Sequence, residues 1–256
     1  MSFQLRREEV LDGAQLSAML AENPAKAAQA ILIAAKQGIV DGQALLGQIL
    51  LDGQGIERDP VLAKRWFQIA ANSGHLMARN MLGRCWEHGW GGPVDCTLAS
   101  LEYRQAAEAG LDWALYNYAN LLATGRGVAP DQGAAFKLYR VAAQAGHAKS
   151  MNLVGRYLEE GVYCLGDKQA AWVWYERSAR GGDFRGQFSH ASVLAEAGRI
   201  DEALTWFERA LAGGNLNFLR VSLAALLEAR DLRVRAMSEA WQARIHTLQS
   251  SPVQNR

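Results

Sequence analysis

The sequence predicts an all-α fold, an α-α superhelix (solenoid) of about six helix hairpins, and two observations predict it. Gly38, Gly74, Gly110, Gly146 and Gly182 stand 36 residues apart, each with an alanine pair or near-pair just upstream. That period suits one antiparallel helix pair, with helices of about 12 to 15 residues and two connections. Within the period, apolar residues recur at the i, i+3, i+4 spacing of a buried helix face. One pair cannot bury its own apolar face, so like pairs stack into a continuous core in which only neighbours touch.

Residues 41–75 serve as the reference unit. In the first helix, Gly42, Leu46, Gly47 and Leu50 share one stripe, and Gly53 and Gly55 then break the helix. Asp59 followed by Pro60 announces the second helix, because the carboxylate accepts free N–H groups of the first turn and proline has none to lose there. Aspartate recurs at Asp95, Asp131 and Asp167. The stripe Ala63, Phe67, Ala70, Ala71 recurs as Ala99, Tyr103, Ala106, Ala107, as Ala135, Tyr139, Ala142, Ala143, and as Ala171, Tyr175, Ser178, Ala179. Small residues let helices approach closely while one aromatic ring per unit fills the gap.

These residues carry a specific resemblance. Leu46-Gly47, Gly53-x-Gly55-Ile56, Asp59, Ala63, Trp66-Phe67, Ala70-Ala71 and Gly74-His75 resemble the Sel1-like repeat, a subfamily of tetratricopeptide-like helical repeats. Weaker copies follow in 77–111, 113–147 and 149–183. An N-terminal copy is recognisable from Pro24, Ala27, Ile31, Ala34-Ala35 and Gly38. After Gly182 the next terminator is Gly214, only 32 residues on, so that unit resembles an ordinary tetratricopeptide hairpin. The resulting division is a single solenoid over 1–248: a degenerate repeat 1–38, repeats 39–75, 76–111, 112–147 and 148–183, a tetratricopeptide-like unit 184–215 and a C-terminal cap 216–248. Residues 249–256 read as a flexible tail. The cap is expected to be polar, since Arg230, Arg233, Arg235, Glu239 and Arg244 stand where an internal repeat is apolar.

Composition narrows the function classes. The formal net charge is +1 and no polybasic block occurs, which argues against nucleic acid or an anionic membrane as partner. No apolar stretch approaches the length of a membrane span, and the first residues do not read as a signal peptide. Three cysteines do not form a disulfide framework, and the compartment expected is cytoplasmic.

Catalytic motifs and cofactor signatures are not found. Gly53-Gln54-Gly55 and Gly125-Arg126-Gly127 read as hairpin loops, since neither follows a strand nor carries the lysine and hydroxyl of a phosphate loop. Cys85, His88 and Cys96 have a spacing that permits zinc ligation, but core neighbours Leu82 and Trp86 make Cys85 a small buried hydrophobe, and no metal is expected. His75 and His147 share one repeat position and read as structural, and His190 stands where a core leucine is expected.

In tetratricopeptide-like superhelices the first helix of each pair lines the concave wall, so the resemblance implies where a partner sits. The candidate partner-binding residues are Asn80, Arg84, Trp113, Tyr116, Asn120, Asn152, Arg156 and Phe188. Arginine forks grip carboxylates and asparagine amides hold a peptide backbone, an arrangement similar to the carboxylate clamp of some tetratricopeptide domains. The competing reading has Arg84 spent on Glu87 and Arg156 on Glu159 and Glu160. Trp90 and Trp113 are the tryptophans read as interface candidates, whereas Trp66, Trp86, Trp174 and Trp206 read as core.

The expected function is a non-enzymatic scaffold or adaptor that binds a protein or peptide, through an acidic segment or a C-terminal carboxylate. The alternative is a dedicated regulatory partner or subunit of one enzyme. A third option, a β-lactam-binding or hydrolysing enzyme, comes from cysteine-rich relatives whose repeated disulfide cysteines this chain lacks. Self-association into a homo-oligomer stays open.

Overall fold

A computed structural model of the chain describes residues 21–250. Among them are thirteen helices and no strand: α1 (Pro24–Lys36), α2 (Val40–Asp52), α3 (Pro60–Asn72), α4 (Leu76–His88), α5 (Cys96–Glu108), α6 (Asp112–Thr124), α7 (Gln132–Gln144), α8 (Ala148–Glu160), α9 (Lys168–Arg180), α10 (Phe184–Glu196), α11 (Ile200–Gly213), α12 (Leu216–Leu227) and α13 (Leu232–Ser250). The first half of the degenerate repeat 1–38 and the last six residues of the tail lie outside the described residues. Residues 249 and 250, expected in the tail, belong to α13.

The chain divides into two compact units. One holds the residues up to Ala114 together with Thr124–Pro130, and the other holds Leu115–Ala123 and everything from Asp131 onward. In the first unit α1 to α5 pack in sequence order; in the second α7 to α11 do so, and α13 packs against both α12 and α11.

The helix boundaries follow from capping chemistry. Asp59, Asp95, Asp131 and Asp167 each accept the N–H of the residue three positions on, at 2.8–2.9 Å, so α3, α5, α7 and α9 start on the same carboxylate, while α11 starts at Arg199 without a side-chain cap. First helices use a different device. After Gly74, Gly146 and Gly182, whose φ values of +85° to +101° reverse the chain, the next side chain is the cap, whereas Ile39 after Gly38 makes no capping bond. His75 Nδ1 accepts from the Ala78 N–H at 2.9 Å and His147 Nδ1 from the Ser150 N–H at 3.3 Å. Asp183 takes the same role toward the Gly186 N–H at 3.0 Å. An imidazole caps only when neutral and protonated on Nε2, so these histidines are structural acceptors.

The core repeats one contact. A Cβ placed on Gly47 of α2 would lie 2.8 Å from the Phe67 ring of α3; on Gly83 of α4, 2.6 Å from Tyr103 of α5; on Gly155 of α8, 2.5 Å from Tyr175 of α9. In each hairpin the ring of the second helix therefore fills the space left by the missing side chain of the first. Ala119 of α6 holds the equivalent position opposite Tyr139 of α7, and Ala191 of α10 opposite Phe207 of α11, with all these residues essentially inaccessible. The aromatic hydroxyls reach polar residues near the ends of the facing helices: Tyr103 donates to Glu87, Tyr139 to Asn120 and Tyr175 to Glu159, each at 2.7 Å. Burial and the neighbouring glutamate push the phenols of Tyr103 and Tyr175 up; burial and nearby tyrosines do so for Tyr139. All three donate as neutral hydroxyls.

The fourth loop departs from the other three. In the loops after α2, α4 and α6, Gly55, Gly91 and Gly127 lie directly against backbone of Pro24, Pro60 and Cys96, where a Cβ would overlap the carbonyl group. Tyr163 occupies that register in the loop after α8. Its ring turns onto Tyr157, 5.9 Å between centroids, and the loop leaves Val162, Tyr163 and Leu165 exposed, Leu165 to 92 %.

The C-terminal pair corrects the expectation of a polar cap. Val234 and Trp241 of α13 are buried, and the Trp241 indole N–H donates to Ser222 Oγ at 3.0 Å. With Ile245 and Leu248 packed on the same cluster, α13 presents an apolar seam to α11 and α12, while its arginines occupy the other faces.

Gly83→Ala and Gly155→Ala are expected to lower stability by about 1–3 kcal/mol in denaturant melts, because the new methyl meets a ring that cannot retreat. Ala119→Gly, where the methyl is already accommodated, is expected to cost about 1 kcal/mol through helix propensity.

Candidate binding surface on the first helices

The residues expected at the surface of the first helices fall in both compact units, and each unit is described by itself. In the first unit, Asn80 is 2 % exposed and its amide reaches Met77 Sδ at 3.8 Å. That burial corrects its expected role, since a side chain so enclosed presents nothing to a peptide backbone. Arg84 differs. Its guanidinium lies over the Trp90 ring at 4.8 Å and touches Met81 Sδ at 3.6 Å, and no carboxylate of the described residues lies within 4 Å of it.

The expected pairing of Arg84 with Glu87 does not form. Glu87 accepts from the Tyr103 hydroxyl and pairs with Arg126 at 2.9 Å, so its charge is spent beneath the surface. Arg126 reaches it from the loop after α6, where it also contacts Cys96 Sγ at 3.7 Å. His88 sits beside them, 5.0 Å from the Trp90 ring. Partial burial pushes its imidazole below the ordinary value, with Glu87 pulling the other way, which leaves it largely neutral near pH 7. Arg84 is therefore the uncompensated cation of a patch that also offers the Trp90 and His88 rings. Trp113, at the start of α6, is 40 % exposed.

In the second unit Asn120 is half-buried and Asn152 buried. Asn120 accepts from Tyr139, and Asn152, 4 % exposed, accepts from Ser189 Oγ at 3.0 Å. Burial thus also corrects the role expected of Asn152. Tyr116 lies tilted between Tyr139 and His147, with centroids at 6.2 and 4.8 Å, and Lys149 Nζ is 5.9 Å from its ring. Arg156 is exposed and donates to Glu160 at 3.2 Å, one of the two glutamates expected to occupy it. Phe188, half-buried, packs into the C-terminal aromatic cluster, 5.1 Å from Phe207 and 6.2 Å from Trp241, and keeps part of its ring accessible.

Chemistry beyond binding finds little support among the described residues. Burial pushes the Cys85 thiol up to about 11, so it is neither a thiolate nucleophile nor a ready metal ligand. No group of three histidine, cysteine or acidic residues converges on a metal position among the described residues. No described helix is long and apolar enough to cross a membrane.

The profile of the Sel1 repeat matches residues 40–75, 76–111, 114–147, 148–183 and 200–215, more than half of the chain. The chain belongs to the Sel1 repeat family. Among solved structures it is similar to a Sel1 repeat protein from Oxalobacter formigenes, with a TM-score of 0.74 and 24 % identity over 91 % of this chain and 98 % of that one. It is also similar to a protective antigen of uropathogenic Escherichia coli with an SLR fold, with a TM-score of 0.67 and 23 % identity. That match covers 91 % of this chain and 52 % of the antigen, so this Sel1 repeat chain spans about half of it. An immunity protein from Pseudomonas aeruginosa matches with a TM-score of 0.54 and 15 % identity over 83 % of each chain. These likenesses establish the α-α solenoid fold class. No curated protein matches in sequence. The Sel1 repeat profile matches nothing before residue 40, and after Gly182 it matches only 200–215, in line with the shortened unit there.

Glu87→Ala is expected to cost about 1–3 kcal/mol in thermal or denaturant unfolding, because the buried Tyr103 hydroxyl loses its acceptor and Arg126 its counter-ion. Tyr103→Phe in the Glu87→Ala background is expected to recover part of that loss.

Proposed function

We propose that this Sel1 repeat protein is a non-enzymatic interaction scaffold whose first unit holds an acidic segment, or the C-terminal carboxylate, of a partner protein against Arg84. The observation that carries this reading is the state of Arg84. Its neighbouring acid is committed to Tyr103 and Arg126, while its own half-buried guanidinium rests over the Trp90 ring with no carboxylate of the described residues within 4 Å. A guanidinium so placed has already given up much of its rotamer freedom, which lowers the cost of gripping a carboxylate with two parallel N–H bonds. Trp90 and the exposed Trp113 supply apolar contact area in the same unit. Arg156 of the second unit is the other cation in this reading, in exchange with Glu160.

Capture of partners from native extract, followed by titration of the purified partner, tests this reading. Arg84→Ala, and the double variant with Arg156→Ala, are expected to bind about tenfold or more weakly, with the loss shrinking as salt is raised. A folded double variant that keeps full affinity contradicts it. The captured set also distinguishes a scaffold with several partners from a dedicated partner of one enzyme, which would retain a single dominant protein.

A further inference from the structure

A second surface, in the other compact unit and of opposite charge, goes beyond the Arg84 site. α10, α12 and the turn between α12 and α13 enclose a cleft of about 570 Å³. Half-buried Phe188 gives it an accessible aromatic floor, with the buried Phe207, Leu226 and Val234 beneath, and Ala195 and Ala225 keep its walls low. The floor is rigid, because Phe188 is wedged edge-on between Phe207 and Phe218, at 5.1 and 5.8 Å, with Trp241 behind them.

The rim carries Glu196, Glu228, Arg230 and Asp231. Asp231 is occupied: its Oδ1 accepts from the N–H groups of Arg233 and Val234, at 2.8 and 3.3 Å, and faces Arg233 Nε at 3.8 Å. Glu196 and Glu228 form no ion pair with any described residue, and Arg230 neutralises neither of them within 4 Å. The cleft therefore combines an apolar floor with two uncompensated carboxylates. Beside an apolar wall their field is screened less than in open water.

We propose that this cleft binds a segment of a partner protein that seats an aliphatic or aromatic side chain against Phe188, between Ala195 and Ala225, and sets a lysine or arginine against Glu196 and Glu228. Size and charge select this occupant. The space takes one or two large side chains, and an acidic segment is repelled from the rim. The small residues Ala195 and Ala225 allow a backbone to approach, with the anchor below it and the cation at the edge.

The test pans the full-length protein against a random library of 12-residue peptides and titrates the recovered sequences by fluorescence anisotropy. Recovered peptides are expected to carry a lysine or arginine within about four residues of a leucine, isoleucine, phenylalanine or tryptophan. Their affinity is expected to fall about tenfold in the Glu196→Gln, Glu228→Gln double variant and with rising salt. It is expected to vanish in Ala195→Trp, which fills the cleft, and to be unchanged in Arg84→Ala, which separates this site from the first. The two glutamate changes are at the rim and leave the core intact, so the test stands even where Ala195→Trp misfolds. The proposal is overturned by recovery of no peptide sensitive to the glutamate pair, by enrichment of acidic peptides at this cleft, or by a cleft whose filling changes only self-association of the chain.

Discussion

Five hairpins, from α2/α3 to α10/α11, are each closed by an aromatic ring set against a helix position that has no side chain, or only a methyl. Phe67 on Gly47, Tyr103 on Gly83, Tyr139 on Ala119, Tyr175 on Gly155 and Phe207 on Ala191 repeat this contact through both compact units. It sets how closely the two helices of a pair approach, and a ring of that size removes a large apolar area from water in one step. Alanines on the same faces hold the spacing between neighbouring helices. With the core occupied by rings and small residues, long polar side chains on the first helices have no place within it and are left to the surface or to specific buried bonds.

The tyrosine hydroxyls link that core to the candidate surface. A phenol buried at a hairpin seam needs an acceptor, and in three hairpins the acceptor is a residue of the first helix: Glu87, Asn120 or Glu159. The demand has a consequence for binding. Glu87 is drawn down toward Tyr103 and Arg126, so Arg84 is left facing Trp90 without a carboxylate. In the second unit Tyr175 takes Glu159, which leaves Glu160 for Arg156. Two arginines one repeat-pair apart in sequence thus end in different electrostatic states, and the difference traces to how many acids each helix end supplies.

Much of this was legible in the sequence because it repeats. The 36-residue glycine ladder, the aspartate caps and the aromatic positions stand out by their period alone, and each corresponds to a contact seen here. The caps on His75 and His147 were readable as structural from their shared position, although their role as N–H acceptors was not. What escaped was the use made of polar side chains in three dimensions. Asn80 and Asn152 lie on the helix face next to the core stripe, and periodicity alone does not separate a polar residue that bonds inward from one that faces solvent. Trp241 was not legible from the repeat: Val234, Trp241, Ile245 and Leu248 follow an ordinary helical seam but stand outside the 36-residue period, with arginines on the faces between them.

The account rests on the ring-to-glycine contact being the element that fixes each hairpin, and a double-mutant cycle at Gly83 and Tyr103 measures it most directly. Gly83→Ala is predicted to be costly with Tyr103 present and close to neutral or stabilising in the Tyr103→Leu background, where the smaller, flexible side chain makes room for the methyl and alanine favours the helix, giving a coupling of about 1 kcal/mol or more. Additive effects, with the same cost for the methyl whether or not the ring is there, would contradict it.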